Sequence, residues 1–583
     1  MKRTLLGLLA LALCAPAALA QNVPVQEVTL DNGMRLLMVP RKGDPNIAAG
    51  WIARVGSVNE RPGITGLSHL FEHMMFKGTH AVGTRNIADN LKLLEEMDTV
   101  RAELRREEQS LIRRATLGEI SDPRDPKARS GRHSQLLAKF EELTKREKDL
   151  MVKDEFDRIY TAAGASGMNA GTSYDFTVYF INVPANKLEL WFWMESDRLA
   201  NPVFREFYAE RDVVHEERRL RTESTPTGKF NELFEAMFWQ SSPYGWPVVG
   251  WPSDLEGITR EEALEYFAVN YAPNNLTACL VGDFEPAQAV ELARRYFGRL
   301  KRGPREPEPV RTREMPQLAE TRMHASAETV PQARVRYHTV ADGHPDAFAL
   351  SVAASLLNGR TGRLYKSLVL RQEIANSASA GQSSLKYEGY FELSGVAKPG
   401  RKPEEVEQAL YAELERLKKE PVPEQELQKV KNQFAANTFR QLQSNFGLMV
   451  QLLVRDGNRG WATINTDPAR IQAVTPADIQ RVADKYFKPE ARTVGIYYTK
   501  RAEGGAAAAA AEDPALAGLS EEEKAQVNQL RPMLAQAKPE QLKAVLAQVE
   551  QQAASAPPER QKVLQVVKKM LEDRIRQLEG GQQ

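Results

Sequence analysis

The chain has 583 residues, 42% hydrophobic and 27% charged, with a formal net charge of +1. That length exceeds what one hydrophobic core organises, so at least two domains are expected. The balanced charge gives no electrostatic reason for nucleic-acid binding, and no run is long and apolar enough for a transmembrane segment.

Lys2 and Arg3, the apolar run Leu5–Leu13 and the small-residue site Ala18-Leu19-Ala20 read as a signal peptide over residues 1–20, cleaved after Ala20. The expected location is therefore outside the cytoplasm, periplasmic or secreted. Cleavage removes Cys14 and leaves Cys279 as the single cysteine, so a disulfide within the mature chain and a cysteine metal site are both excluded. Cys279 lies in the apolar stretch LTACLV and is expected to be an inert buried thiol.

The next informative segment is Gly63–Thr79, GITGLSHLFEHMMFKGT. Thr65 or Ser68 is expected to cap a helix carrying His69, Glu72 and His73. Residues four apart share a helical face, so both imidazoles can reach one ion, and Glu72 projects from nearly the same side. Two neutral imidazoles and a carboxylate suit zinc, while a free carboxylate beside the metal can take the proton of an attacking water. Residues 90–160 follow as a charged helical pattern broken at SDPRDPKARSG, which predicts an inserted antiparallel hairpin with arms Asn90–Leu117 and Ser134–Tyr160 and a solvated charged face.

The third metal ligand has to come from elsewhere. In Glu210–Glu217, ERDVVHEE, the two terminal glutamates are two turns apart and share a face, with Glu216 rotated away. Glu217 is the expected third ligand and Glu210 the carboxylate that orients a histidine ligand. His215 lies on a different face and is expected to be solvated.

An internal repeat becomes visible further on. Ile258–Leu280 reads ITREEALEYFAVNYAPNNLTACL and Val474–Ile496 reads VTPADIQRVADKYFKPEARTVGI. Thr259 matches Thr475 and Pro273 matches Pro489, both at an offset of 216. Each copy has a Thr cap, an acidic first turn, an amphipathic helix, a Pro stop and a strand-like run. Duplication implies two related domains, residues 21–301 and 316–500, joined by the Pro- and charge-rich linker 302–315. An Ala/Gly-rich linker, residues 501–518, precedes a helical or partly disordered tail, residues 519–583.

Taken together, LDNGMRLLMVP, GLSHLFEHMMFKGT, GMNAGTSYDFTVYF, ERDVVHEE and SPYGWPVVG make the sequence similar to the pitrilysin-type (M16) zinc metallopeptidases, closest to the bacterial exported two-domain members. The resemblance covers about Val23 to Lys500 outside the hairpin. It implies an α+β fold of two homologous α/β domains, with mixed, largely antiparallel sheets flanked by helices in a clam-shell arrangement. It also implies one Zn2+ per chain held by His69, His73 and Glu217, with Glu72 as general base and Glu210 supporting the site. The separation of 144 residues between His73 and Glu217 is longer than usual in the family, by roughly the length of the hairpin. Asn169–Val183 matches the family's edge strand, placing Asn169, Ala170 and Thr172 nearest a peptide added by main-chain hydrogen bonds. In the second half, Leu356–Ala380 resembles a substrate-contacting region. Arg371 stands where many active members have an Arg followed by a Tyr, but Asn376 occupies the neighbourhood of that Tyr. The function implied is zinc-dependent endopeptidase action on peptides or unfolded polypeptide segments. The alternatives are a catalytic subunit that needs a non-catalytic homologue and a non-enzymatic assembly or binding protein that retains the motif. A homodimer and a heterodimer with such a homologue are both left open.

Overall fold

The computed structural model describes residues 22–500 and, in part, residues 542–580. The expected signal peptide and the linker 501–518 lie outside the described residues. Of the tail, the helix Pro558–Gly580 and the helical residues 542–543, 545–547 and 549–550 share an apolar seam of Leu542, Val549, Val567, Leu571 and Ile575.

The fold is mixed α/β with two sheets flanked by helices. The first sheet is built from β1 (Gln26–Thr29), β2 (Arg35–Pro40), β3 (Asn46–Ala53), β4 (Ser166–Thr172), β5 (Thr177–Pro184) and β6 (Leu276–Gly282), in the order β1-β2-β6-β3-β5-β4. The second contains β7 (Thr321–Ala327), β8 (Gln332–Thr339), β9 (Ala375–Ser384), β10 (Gly389–Ala397) and β11 (Arg492–Thr499), in the order β7-β11-β8-β10-β9. Each sheet has one parallel pair, β2 with β6 and β7 with β11, and is otherwise antiparallel. Apart from β1, the two orders are the same.

The repeat seen in the sequence is reproduced in three dimensions. Thr259 and Glu262 form a reciprocal capping box at the start of helix Arg260–Asn270, and Thr475 and Asp478 form the same box before helix Pro476–Tyr486. Pro273 and Pro489 then open short 3-10 turns that feed β6 and β11. All seven residues of β6 are buried, because helices cover both faces of the sheet at its centre, and Cys279 lies there as a free buried thiol.

Seven helices matter for the site: α1 (Leu67–Met74), α2 (Ile87–Thr116), α3 (Gly131–Leu150), α4 (Glu155–Ala162), α5 (Leu188–Ala200), α6 (Phe207–Arg218) and α7 (Gly228–Phe238). α2 and α3 form the expected antiparallel hairpin around Leu93, Met97, Leu104 and Leu143. Its second arm is shorter than predicted. The chain breaks after Leu150, with Asp154 at φ 53°, and restarts as α4. Phe156 and Tyr160 of α4 belong to the main apolar core, which is why the pattern up to Tyr160 reads as one helix.

The two halves of the chain exchange helices across the sheets. Leu448, Met449, Leu452 and Leu453, from helix Asn445–Asn458, cover the face of the first sheet formed by Leu37, Val39, Ala48, Ile52 and Val281. In return α7, from the first half, lies on the second sheet, with Phe234 against Gly495. Both seats depend on a missing side chain. A Cβ on Gly50 would stand 3.0 Å from Met449 Sδ, and one on Gly495 would stand 3.1 Å from the Phe234 ring. Charge marks both seats as well. Asp456 accepts from Arg54 at 3.1 Å and from Arg35, and Arg336 donates to Glu235 at 2.6 Å and to Glu392 at 2.7 Å.

His338 of β8 stacks on Phe238 of α7 at 3.8 Å between ring centroids. Burial pushes its pKa down to about 4. Its ordinary value is about 6.5, so between those limits the unfolded chain binds a proton that the folded chain refuses. Stability therefore falls as pH drops through this window. His338→Gln is expected to flatten that slope by up to about 3 kcal/mol, measured as denaturant midpoints from pH 7 to pH 4. An unchanged slope would exclude His338 as its source.

Candidate metal centre

α1 starts at a turn that only glycine fits. Gly66 has φ 89°, and a Cβ there would lie 2.5 Å from the Val249 carbonyl oxygen. The cap differs from expectation. The carboxylate of buried Glu60 accepts from the backbone N–H groups of Gly66 at 2.8 Å and Ser68 at 2.6 Å. Thr65 instead donates to Asp254 at 2.7 Å, and the Ser68 hydroxyl meets Tyr266 Oη at 2.8 Å. Burial pushes the Glu60 pKa up to about 8, against the two N–H bonds that favour its anion. The result is a short, deeply seated helix carrying His69 and His73 one turn apart, with ring centroids 5.0 Å apart.

α6 is brought to α1 by a buried cation. Arg205 donates through Nε to Asn90 Oδ1 at 2.6 Å and through its terminal nitrogens to the carbonyls of Thr79, Val82 and Lys77 at 2.6, 3.0 and 3.2 Å. It thereby ties the loop after α1 to the first turn of α2 and the start of α6. Burial lowers its pKa to about 10, which still leaves it charged. The flanking residues Phe204 and Glu206 have φ of 35° and 55°, so the chain reaches α6 through left-handed backbone that non-glycine residues rarely adopt.

These two helices bring His69, His73 and Glu217 together, with one donor atom from each inside a 4.8 Å group. Nε2 of His69 and Nε2 of His73 lie 3.6 and 3.4 Å from Glu217 Oε2. Donors bonded at about 2.0–2.1 Å to a tetrahedral ion stand about 3.3–3.4 Å apart, so these separations fit zinc. His73 donates from Nδ1 to Glu210 Oε2 at 3.3 Å, which holds its proton on that side and frees Nε2 for a metal. Burial pushes His69 below its ordinary pKa, keeping the imidazole neutral as a ligand must be. For His73 burial acts in the same downward sense, but the hydrogen bond to Glu210 and the surrounding carboxylates bring its pKa up. Glu210 is held below the usual carboxylate range, because His73 and Lys77 outweigh the burial that would raise it.

Glu72 projects beside the cluster and accepts from the Thr172 hydroxyl at 2.7 Å. Asn169, Ala170 and Thr172 lie on β4, the outer strand of the first sheet, and line a cleft of about 680 Å³ with His69, Glu72, His73 and Glu217. Arg371 does not line this cleft; it is exposed at the end of the helical turn Tyr365–Arg371. Glu216 points away from the cluster and pairs with Arg219 at 2.8 Å. His215 departs from expectation: it is half-buried rather than solvated, although it lies off the metal cluster.

Several cleft and supporting residues were missed. Arg221 pairs with Glu217 Oε1 at 2.6 Å, and Lys77 pairs with Glu210 and with Glu206 at 3.1 Å. Both had a helical-spacing signal, since Arg221 is four residues after Glu217 and Lys77 four after His73. Glu60 and Arg205 carried none, and Val248 and Val249 fall within SPYGWPVVG, a family mark to which no site role was attached.

A family model described as insulinase, peptidase family M16, matches residues 38–111, and one described as the peptidase M16 inactive domain matches residues 257–434. Both matching models are of the M16 peptidase family, which is the family the chain is similar to. It is 26% identical over 473 residues to the zinc protease PqqE of Helicobacter pylori, spanning 79% of this chain and 90% of that one. A solved protease from Helicobacter pylori superposes with a TM-score of 0.65 at 24% identity, over 81% of this chain and 99% of that chain. The periplasmic protease PqqL from Escherichia coli shares the fold with a TM-score of 0.61 at 16% identity, over 82% of this chain and 48% of that chain. The M16 relatives and the donor set make this a metallopeptidase-like protein whose candidate metal is zinc. Among the described residues, no helix is long and apolar enough to cross a membrane.

Replacing Arg205 tests what holds α6 against α1. Arg205→Met removes the donor to Asn90 Oδ1 and to the carbonyls of Lys77 and Thr79, while the Val82 carbonyl keeps the Thr79 N–H at 2.8 Å, and is expected to lower stability by about 3–4 kcal/mol. Arg205→Lys is expected to recover little, because one ammonium cannot span the guanidinium's fork. Urea midpoints within about 0.5 kcal/mol of the parent would refute the assignment.

Proposed function

We propose that the chain is a zinc-dependent endopeptidase that hydrolyses peptides or unfolded polypeptide segments, one Zn2+ per chain being held by His69, His73 and Glu217. The observation that carries the proposal is the spacing of the three donor atoms beside a sheet edge and the Glu72 carboxylate, which lies outside the donor group. When bound, zinc supplies Lewis acidity toward a carbonyl oxygen and a water molecule.

The chain's own residues do the rest. Glu72, held by Thr172, accepts a proton from the attacking water and then donates it to the leaving amine. Glu210 keeps the His73 ring in register through Nδ1. An extended peptide joins β4 by main-chain hydrogen bonds along Asn169–Thr172, which leaves sequence preference to the side chains around the cleft. Val248 and Val249 offer it an apolar wall, and Arg221 a cation near the metal ligands. We read the protein as exported, on the signal-like residues 1–20 and the fold shared with a periplasmic protease. The domain boundaries proposed are those of the repeat, with residues 21–301 carrying the metal ligands and residues 316–500 forming the partner half.

Glu72→Gln is expected to keep about one zinc per chain and to lose activity by at least about 100-fold, the scale of a missing general base. Metal analysis and digestion of a mixed peptide library by the purified chain, with and without chelator, give both readouts. Full hydrolysis by the zinc-loaded Glu72→Gln protein would refute the role of Glu72. A parent chain that takes up no zinc would refute the reading as a whole and favour the binding-protein alternative. Zinc uptake without hydrolysis until a homologue is added would favour the two-subunit alternative.

A further inference from the structure

The α2–α3 hairpin has no place in the proposed chemistry, yet both of its helices reach the first turn of the ligand helix. Asn90 of α2 accepts from Arg205 at 2.6 Å, Glu147 of α3 accepts the backbone N–H of Glu206 at 2.9 Å, and Asp98 of α2 accepts from Tyr208 Oη at 3.3 Å. Residues 205, 206 and 208 are therefore each held by the hairpin before α6 has completed its first turn. Glu147 is buried at 2% exposure, whereas the other Lys, Arg, Asp and Glu side chains of α3 are partly or fully exposed, so its carboxyl is placed there for contact rather than solubility.

The bond to Glu206 sits at a strained point. Glu206 has φ 55° and leads into α6 without a side-chain cap. Left-handed backbone costs a non-glycine residue about 1–2 kcal/mol and persists when its surroundings hold it. From this residue a polar chain runs to the metal site. Glu206 Oε2 meets Lys77 Nζ at 3.1 Å, Lys77 pairs with Glu210, and Glu210 holds His73 Nδ1 at 3.3 Å. The carbon skeleton of α6 carries the same constraint to Glu217.

We infer that Glu147 is a positioning residue: from the hairpin it fixes the backbone of Glu206, and through Glu206, Lys77 and Glu210 it sets the orientation of the histidine and carboxylate that hold the metal. The inference rests on the zinc reading argued above. Glu147 works as an acceptor and needs no charge for this. Burial, which raises its pKa, is compatible with that role. The isosteric amide keeps the acceptor, so Glu147→Gln and Glu147→Ala separate hydrogen bonding from bulk.

The test uses the full chain, stripped of metal and titrated with zinc against a chromophoric chelator. Glu147→Ala is expected to weaken zinc binding about 10-fold, the lower end for groups that orient a ligand, while Glu147→Gln stays within about 2-fold of the parent. Lys77→Met breaks the relay without touching the hairpin and is expected to weaken zinc in the same direction. Hydrogen exchange of the metal-free proteins gives a second readout, with amides of residues 207–214 exchanging faster in Glu147→Ala than in the parent or in Glu147→Gln. Parent-like zinc affinity in Glu147→Ala, a Gln variant as weak as the Ala variant, or unchanged affinity in Lys77→Met would overturn the inference. If Glu147→Ala does not fold, Lys77→Met and Glu147→Gln decide it. A parent chain that binds no zinc defeats the zinc reading instead. The bracing is then judged on exchange alone, and equal exchange in the parent and in Glu147→Ala overturns it.

Discussion

The metal cluster depends on one buried guanidinium. His69 and His73 stand on α1 and Glu217 on α6, so nothing in local helix geometry sets the distance between them. Arg205 sets it, by donating to a side chain of α2 and to the loop that leaves α1. A buried arginine is costly to desolvate, and four hydrogen bonds offset that cost only when every acceptor is in place. The interaction is therefore all-or-none in geometry. Either α1, its exit loop, α2 and α6 meet as a unit, or the cation is stranded. That gives separations near those required by a small ion.

The two sheets are held by a different device, the exchange of helices. Each half of the chain lends one amphipathic helix to the other's sheet, so neither sheet is covered on both faces by its own half. A side chain such as Met449 buried at the exchanged helix contributes roughly 1.5–3 kcal/mol, and each seat buries several. Separation of the halves would expose both faces together. The exchange couples the stability of the half that bears His69, His73 and Glu217 to a half in which no candidate metal cluster occurs among the described residues.

Much of this was legible in the sequence, and the reason differs by feature. The spacing of His69, Glu72 and His73 is helical and local, so pattern alone places them on one face. Glu210 and Glu217 are legible for the same reason. The repeat is legible because a cap, a stop and a strand recur at a constant offset. The helix break after Leu150 was hidden because α4 continues the apolar period of α3 while packing on another core. The cap of α1 was misread because Thr65 and Ser68 have the right chemistry, and the carboxylate that does the capping comes from Glu60, before the turn. Arg205 and Glu147 look like ordinary surface charges in a chain of which 27% is charged. Only tertiary structure shows that both are buried.

The long separation between the two halves of the donor set has a physical consequence. Loop closure costs rise only slowly with length, so a long segment between α1 and α6 is tolerated if its ends are pinned. Here the segment is not slack. α2 and α3 pack on each other, and their bases contact the loop after α1 and the start of α6 at the same place. A structured hairpin converts a flexible closure into a rigid one, lowering the entropy lost when the donors converge. The same rigidity limits how far α6 can drift when the cleft is empty. A donor set held in register needs little reorganisation on binding a ligand, which is the condition that the role proposed for Glu72 requires.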